Sequence, residues 1–233
     1  MRRYATELRD VLGDFLIAIY LGGSFATGDF APGTSDYDLL VIVAGGLTAQ
    51  RVSRLRALHA ELAGQDAESL LLEGDYVPRD DLVPEGTTRP AWWFRAGSLQ
   101  PPAFMLSADN IANMRDEGIA IIGPSAPLIL PRVTAEHVRA AIRDMLAEKP
   151  EVSNERDAAK ELLDIARSLA GLETARPTSH AAGLRWALEH VDRRWHAVLR
   201  RASEVRGGAA CDGDDDTLRR ALAAWREELG LRD

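Results

Sequence analysis

The reading turns on Tyr20-Leu21-Gly22-Gly23-Ser24 and, eleven residues after Ser24, Asp36-Tyr37-Asp38-Leu39-Leu40-Val41-Ile42-Val43. A glycine pair at the end of an apolar run lets the backbone approach a ligand, because glycine has no Cβ. Successive amide groups in such a turn cradle an anion, and the Ser24 hydroxyl adds a donor. Asp36 and Asp38 are two residues apart, so on a strand they point to one face. Neighbouring carboxylates repel unless a cation sits between them. Magnesium takes one or two carboxylates plus phosphate oxygens from a substrate. The stretch therefore predicts a magnesium–nucleoside triphosphate site, with Gly23 and Ser24 on the phosphates and Asp36 and Asp38 on the metal.

Outward from this stretch, Arg2 to Leu12 reads as a short amphipathic helix and Phe15 to Leu21 as a buried strand. Residues 24–34 hold Gly28, Pro32 and Gly33 and read as turn or irregular structure. Tyr37 to Val43 is a second buried strand, Thr48 to Leu62 a helix, and Ser69 to Val77 a third strand. That strand carries Glu73, with Asp75 two residues on and on the same face. Either could supply the third carboxylate of a two-metal site, and Glu73 is the first choice. Residues 78–102 are rich in Pro, Gly and charge and contain Trp92-Trp93-Phe94. A helix is expected over 109–117 and a strand over 119–122, closed by Gly123-Pro124. From Thr134 onward helical patterns dominate, over 134–148, 155–172, 179–205 and 216–229. Strands first and helices after predict an α+β fold. A mixed sheet flanked by helices over 1–150 is followed by an all-α helical bundle over 151–233, with the boundary near Pro150.

Composition narrows the function. The 233 residues carry 28 Lys plus Arg against 36 Asp plus Glu, a net charge of −8. That balance argues against a protein that tracks nucleic acid through its phosphates and suits a cationic small molecule. Cys211 is the single cysteine, so an intramolecular disulfide and a thiolate zinc site are both excluded. No run reaches the roughly 18 apolar residues of a membrane span, and a cytoplasmic, monomeric protein is expected. The run Cys211-Asp212-Gly213-Asp214-Asp215-Asp216 is not an EF-hand, because Ala223 stands at the twelfth position from Asp212. It reads as a solvated loop, with Asp216 capping the last helix.

Gly23-Ser24 followed by Asp36-x-Asp38 resembles the signature of the DNA polymerase β-like nucleotidyltransferase superfamily. More narrowly, Tyr20 to Ser24 and Ser35 to Val41 resemble the streptomycin/spectinomycin (aminoglycoside) adenylyltransferases. Gly118 to Pro124, Arg167, Thr174 and Arg185-Trp186-Ala187-Leu188-Glu189 extend the resemblance. It implies transfer of AMP from ATP to a hydroxyl of an aminoglycoside-type small molecule, with release of pyrophosphate and a role in antibiotic resistance. Asp36 and Asp38 would bind two magnesium ions, Gly23 and Ser24 the β- and γ-phosphates, and Glu73 would act as general base and metal-site carboxylate.

The cleft between the two domains is the expected acceptor site. Asp157, Glu161 and Asp164 share one helix face by spacing and would suit an amine-rich ligand. Asp157 matches a position where the family has an acidic residue that helps bind substrate. Trp92 and Trp93 are a second candidate, since aromatic faces pair with cations. Departures lie in the helical region: Ala158-Ala159-Lys160 replaces a more polar run, Ser179-His180 replaces Ser-Lys or Pro-Lys, and Ala175 stands where glycine is usual. They leave the nucleotide chemistry intact and open the same chemistry on another small molecule or a protein side chain; a degenerate fold serving as a binding module is a third reading, against which the retained Gly23, Ser24, Asp36, Asp38 and Glu73 argue.

Overall fold

The computed structural model describes residues 1–30, 35–148, 150–210 and 216–231. The chain divides into two compact units, Met1–His137 and Val138–Asp233. Among the described residues of the first unit, six strands form one sheet in the order β7-β6-β3-β2-β1-β8. These are β1 (Leu16–Leu21), β2 (Tyr37–Val43), β3 (Leu72–Pro78), β6 (Ala91–Arg95), β7 (Ser98–Phe104) and β8 (Ile119–Ile122). β4 (Leu82–Val83) and β5 (Gly86–Thr87) form a separate ladder. β2 and β3 run parallel and every other pairing in the sheet is antiparallel. A parallel pair needs a crossover, and α3 (Ala49–Gln65), capped by the Thr48 side chain, supplies it.

Alternation along the strands divides the core. Ile19, Leu21, Leu39, Val41, Leu72, Tyr76 and Phe94 face α1 (Arg2–Leu12) and α3. Ala18, Tyr20, Leu40, Ile42 and Val77 face α4 (Ala108–Glu117) and α5 (Ala126–Ile129) through Ile111 and Ala126. The first face contains a polar pocket. The imidazole of His59 lies 2.9 Å from the Tyr76 hydroxyl, stacks on Phe94 at 4.4 Å between centroids, and is 2 % exposed. Burial pushes its pKa down from 6.5 to about 4.

Two segments differ from what their composition suggests. Residues 78–102, rich in Pro and Gly, build β6 and most of β7. Pro101 and Pro102 are tolerated because β7 is an edge strand and its pairing with β6 shifts register between Phe104 and Gln100, so neither proline interrupts a regular ladder. Gly23–Thr27 is not irregular but forms the short helix α2, ended by Gly28.

The second unit is helical, with α6 (Ala135–Ala147), α7 (Glu155–Thr174), α8 (His180–His190), α9 (His196–Arg206) and α10 (Thr217–Glu228). By contacts the division falls within the first turn of α6, after His137, whereas the sequence reading puts the boundary near Pro150. A Cβ on Gly171 would meet Ile142, and Arg139 donates to the Leu172 carbonyl, so α6 packs on α7. The helix expected over 179–205 breaks between α8 and α9, where the Asp192 side chain accepts from the Arg194 amide. Asp216 occupies the N-cap of α10, but its side chain pairs with Arg219. Glu155 instead accepts from the Leu218 and Arg219 amides. The rest of the Asp-rich run, 211–215, lies outside the described residues.

α7 ends at Ala175 with φ 54° and ψ 36°. The left-handed region costs a residue with a Cβ roughly 1–2 kcal/mol. Ala175→Gly should therefore stabilise the protein by about 1 kcal/mol, read as a higher urea midpoint. A second prediction comes from His59. Its folded pKa lies below its unfolded value, so its contribution is complete above pH 6.5 and is lost as pH falls toward 4. The loss is on the order of 3 kcal/mol across that window, and His59→Gln should flatten the pH dependence of urea unfolding there.

Candidate functional site

The residues singled out by the opening motif meet at one end of the sheet. β1 ends there at Gly22-Gly23, β2 and β3 begin there, and β6 ends there at Arg95. The Gly22 amide donates to the Asp38 carbonyl at 2.8 Å, tying the turn to the head of β2. Gly23 has φ +56°, and a Cβ built on it would lie 1.7 Å from Asp38 Oδ2. The Asp38 carboxylate therefore occupies the space a side chain at 23 would need. Met114 of α4 fills the corresponding space beside Gly22. Ser24 lies in the first turn of α2.

Asp38 is the parallel register partner of Glu73, and Leu40 that of Asp75. Asp38, Glu73 and Asp75 thus fall on the α4-facing side of the sheet. Burial raises the Glu73 carboxyl. The Asp36 and Asp38 charges add to the rise and Arg95 opposes it. Asp75 is pushed up to about 7, first by burial and then by Glu73 and Asp38. Glu73 sits level with Asp38, whereas Asp75 lies one step deeper, beside Trp93 of β6. The Glu73 carboxyl is one-third exposed and matches Asp36 in this.

Sequence reasoning missed Arg95. It faces Glu73 across the antiparallel β3–β6 pair. Its guanidinium lies 3.4 Å from Glu73 Oε2 and 3.5 Å from Asp36 Oδ2. The signal was a basic residue closing Trp92-Trp93-Phe94, and it became readable only once that segment was a strand beside β3. Among the described residues no three acidic, His or Cys side chains close around one point as a ready metal cage. The donor set still fits a magnesium ion that shares its ligands with a phosphate. Asp36 and Asp38 are oxygen donors at one strand head, and the like-charge pressure on Glu73 is what an added cation relieves.

The acceptor candidates separate. Trp93 pairs with Asp75 in register and lies on the carboxylate side; its indole N–H is buried with no partner among the described residues. Trp92 packs against the α3-facing core, with the Arg56 guanidinium 5.8 Å from its ring, so it does not face the carboxylates.

The predicted acidic face of α7 is largely neutralised. Asp164 is buried and contacts Lys160 and Arg167 at 2.7 Å and His180 at 2.8 Å. Burial works against its charge, but His180, Arg167 and Lys160 more than offset that and hold it well below the usual carboxylate range. Glu161 pairs with Arg226 at 2.5 Å. Both line a groove of about 770 Å³ with Arg219 and Leu222. Asp157 is half-buried and accepts from the Ser153 amide at the start of α7. Helical spacing found the face and its dilution by Lys160 and Arg167, but not His180 and Arg226, which other elements bring to it.

Comparison with known proteins agrees with this layout. Residues 1–89 match the family described as nucleotidyltransferase domain. Residues 128–228 match the family described as aminoglycoside adenylyltransferase, C-terminal domain. Spectinomycin 9-adenylyltransferase of Staphylococcus aureus is 26 % identical over 204 residues, covering 79 % of this chain and 77 % of that one. The crystal structure of spectinomycin adenyltransferase AAD(9) from Enterococcus faecialis with ATP and spectinomycin superposes with a TM-score of 0.74. That match has 18 % identity and covers 98 % of both chains. Among the described residues no helix is long and apolar enough to cross a membrane.

The contact between Gly23 and Asp38 gives a direct test. Gly23→Ala should displace the Asp38 carboxylate and weaken ATP binding by roughly tenfold or more, a penalty of at least about 1.4 kcal/mol. Calorimetric titration reads the affinity, and an unchanged far-UV spectrum shows that the sheet persists.

Proposed function

Starting from a chain that is an aminoglycoside adenylyltransferase-like nucleotidyltransferase, we propose that it transfers AMP from ATP to a hydroxyl of an aminoglycoside-type antibiotic. The observation that carries this reading is the Asp38 carboxylate lodged against Gly23 and level with Glu73 at one sheet end. It supports the reading because the Gly23 turn, the Asp38 carboxylate and Glu73 share one sheet end, as a phosphate cradle, a metal ligand and a base would need to.

Asp36 and Asp38 would hold magnesium, with Glu73 beside them. The ion supplies charge neutralisation for the triphosphate and for the pyrophosphate that leaves. The turn at Gly23-Ser24 offers amide and hydroxyl donors to the terminal phosphates. Glu73 Oε accepts the proton of the acceptor hydroxyl as its oxygen bonds to the α-phosphorus of ATP. The bond from that phosphorus to the bridging oxygen breaks, and its electron pair leaves with pyrophosphate. Asp75, pushed up to about 7 by burial, lies one step deeper than Glu73, beside Trp93, so Glu73 is the carboxylate level with Asp38 and the one assigned as base. Asp157 and Trp93 are the remaining acceptor contacts from the sequence reading.

The same chemistry on a different acceptor is the second reading. It is favoured by the neutralised Asp164 and Glu161, which leave α7 less anionic than a polyamine would prefer.

Incubation with ATP, magnesium and either spectinomycin or streptomycin, read by mass spectrometry, should add one adenylyl group to a drug. Glu73→Gln should slow this by about 10²–10⁴-fold, the worth of a general base, and Asp36→Asn and Asp38→Asn by at least as much. Full turnover in all three variants would reject the chemistry. No adduct on either drug, with ATP still bound, would favour the second reading.

A further inference from the structure

Arg95 is placed by the fold rather than by chance. Antiparallel register sets it opposite Glu73, and its guanidinium spans Glu73 and Asp36. Its hold is loose. The contacts are 3.4 and 3.5 Å, whereas charge-assisted hydrogen bonds run near 2.7–2.9 Å. The cations on Asp164 sit at 2.7 Å, so the same chain also builds tight pairs. The Arg95 side chain is 59 % exposed, and exposed ion pairs of this kind are weak.

We propose that Arg95 is a resident counter-cation. In the metal-free protein it neutralises Asp36 and Glu73, and it yields those carboxylates when a divalent ion arrives with the nucleotide. The inference rests on the magnesium–nucleotide reading of the site and adds to it a positioning residue that sets the ion's affinity. A free divalent ion must displace the guanidinium by itself. An ion that arrives on a triphosphate brings additional ligands and negative charge, which give the released guanidinium a new electrostatic partner. Arg95 therefore biases the site against free metal and toward the metal–nucleotide complex. It also keeps the carboxylates from repelling one another before loading.

The test is titration of the purified protein with Mn2+ alone, following free Mn2+ by electron paramagnetic resonance. Arg95→Gln should bind Mn2+ about two- to fivefold more tightly than wild type, the order expected for loss of one competing exposed charge. Arg95→Lys keeps the charge and should restore wild-type affinity. Equal or weaker Mn2+ binding in Arg95→Gln, with a native far-UV spectrum, overturns the role given to Arg95. Asp36→Asn separates the two levels. If it weakens Mn2+ binding while Arg95→Gln leaves it unchanged, only the Arg95 role fails. If Asp36→Asn has no effect in either background, the ion binds elsewhere, and both the metal reading and this role fail.

Discussion

The carboxylate of Asp38 fills the space that a Cβ on Gly23 would take, and much of the first unit serves that contact. It needs a left-handed glycine at the end of β1 and a strand head that begins beside that turn. Antiparallel pairing of β1 with β2 meets the second need, because Leu21 pairs with Leu39 and the Gly22 amide bonds the Asp38 carbonyl. Parallel pairing of β2 with β3 then brings Glu73 level with Asp38. The α3 crossover makes that parallel pair, and the apolar faces of Val41, Leu55 and Leu62 hold α3 on the sheet. Acid placement is thus a consequence of backbone register, which is stiffer than any loop.

Concentrating acids at one sheet end has an electrostatic cost. Glu73 and Asp75 both shift upward, and Arg95 opposes part of the shift on Glu73. Packing beneath the site sits on the other sheet face, where Tyr76, Phe94 and His59 interlock. β3 therefore has two roles. Glu73 and Asp75 carry the carboxylates on one face before Val77 joins the core there, and Leu72 and Tyr76 carry the core on the other.

The signature stretch and the first two strands were legible in the sequence because their evidence is local. An apolar run, a glycine pair and two acids two residues apart need no tertiary knowledge. The third carboxylate was legible as a pair, Glu73 or Asp75, and register chose between their depths. β6 and β7 were hidden because Pro, Gly and charge mimic a loop, while an edge position forgives them. Arg95 was hidden with them. The face of Asp157, Glu161 and Asp164 was visible as helical spacing, as was its dilution by Lys160 and Arg167 on the same helix, but the partners from other elements were not. Arg226 lies 65 residues from Glu161, and His180 comes from the next helix. Ala175 gave a different kind of signal. A residue with a Cβ where glycine is usual sits in the left-handed conformation that glycine would relieve.

The central claim is that Asp36 and Asp38, beside the Gly23-Ser24 turn, form the place where a metal-bound triphosphate sits. A crystal grown with Mn2+ and a non-hydrolysable ATP analogue, measured at the manganese absorption edge, tests it most directly. The account predicts an anomalous peak within coordination distance of both aspartates and of phosphate oxygens, with the terminal phosphates against the Gly23-Ser24 turn. A peak elsewhere, or a nucleotide bound away from that turn, would contradict it.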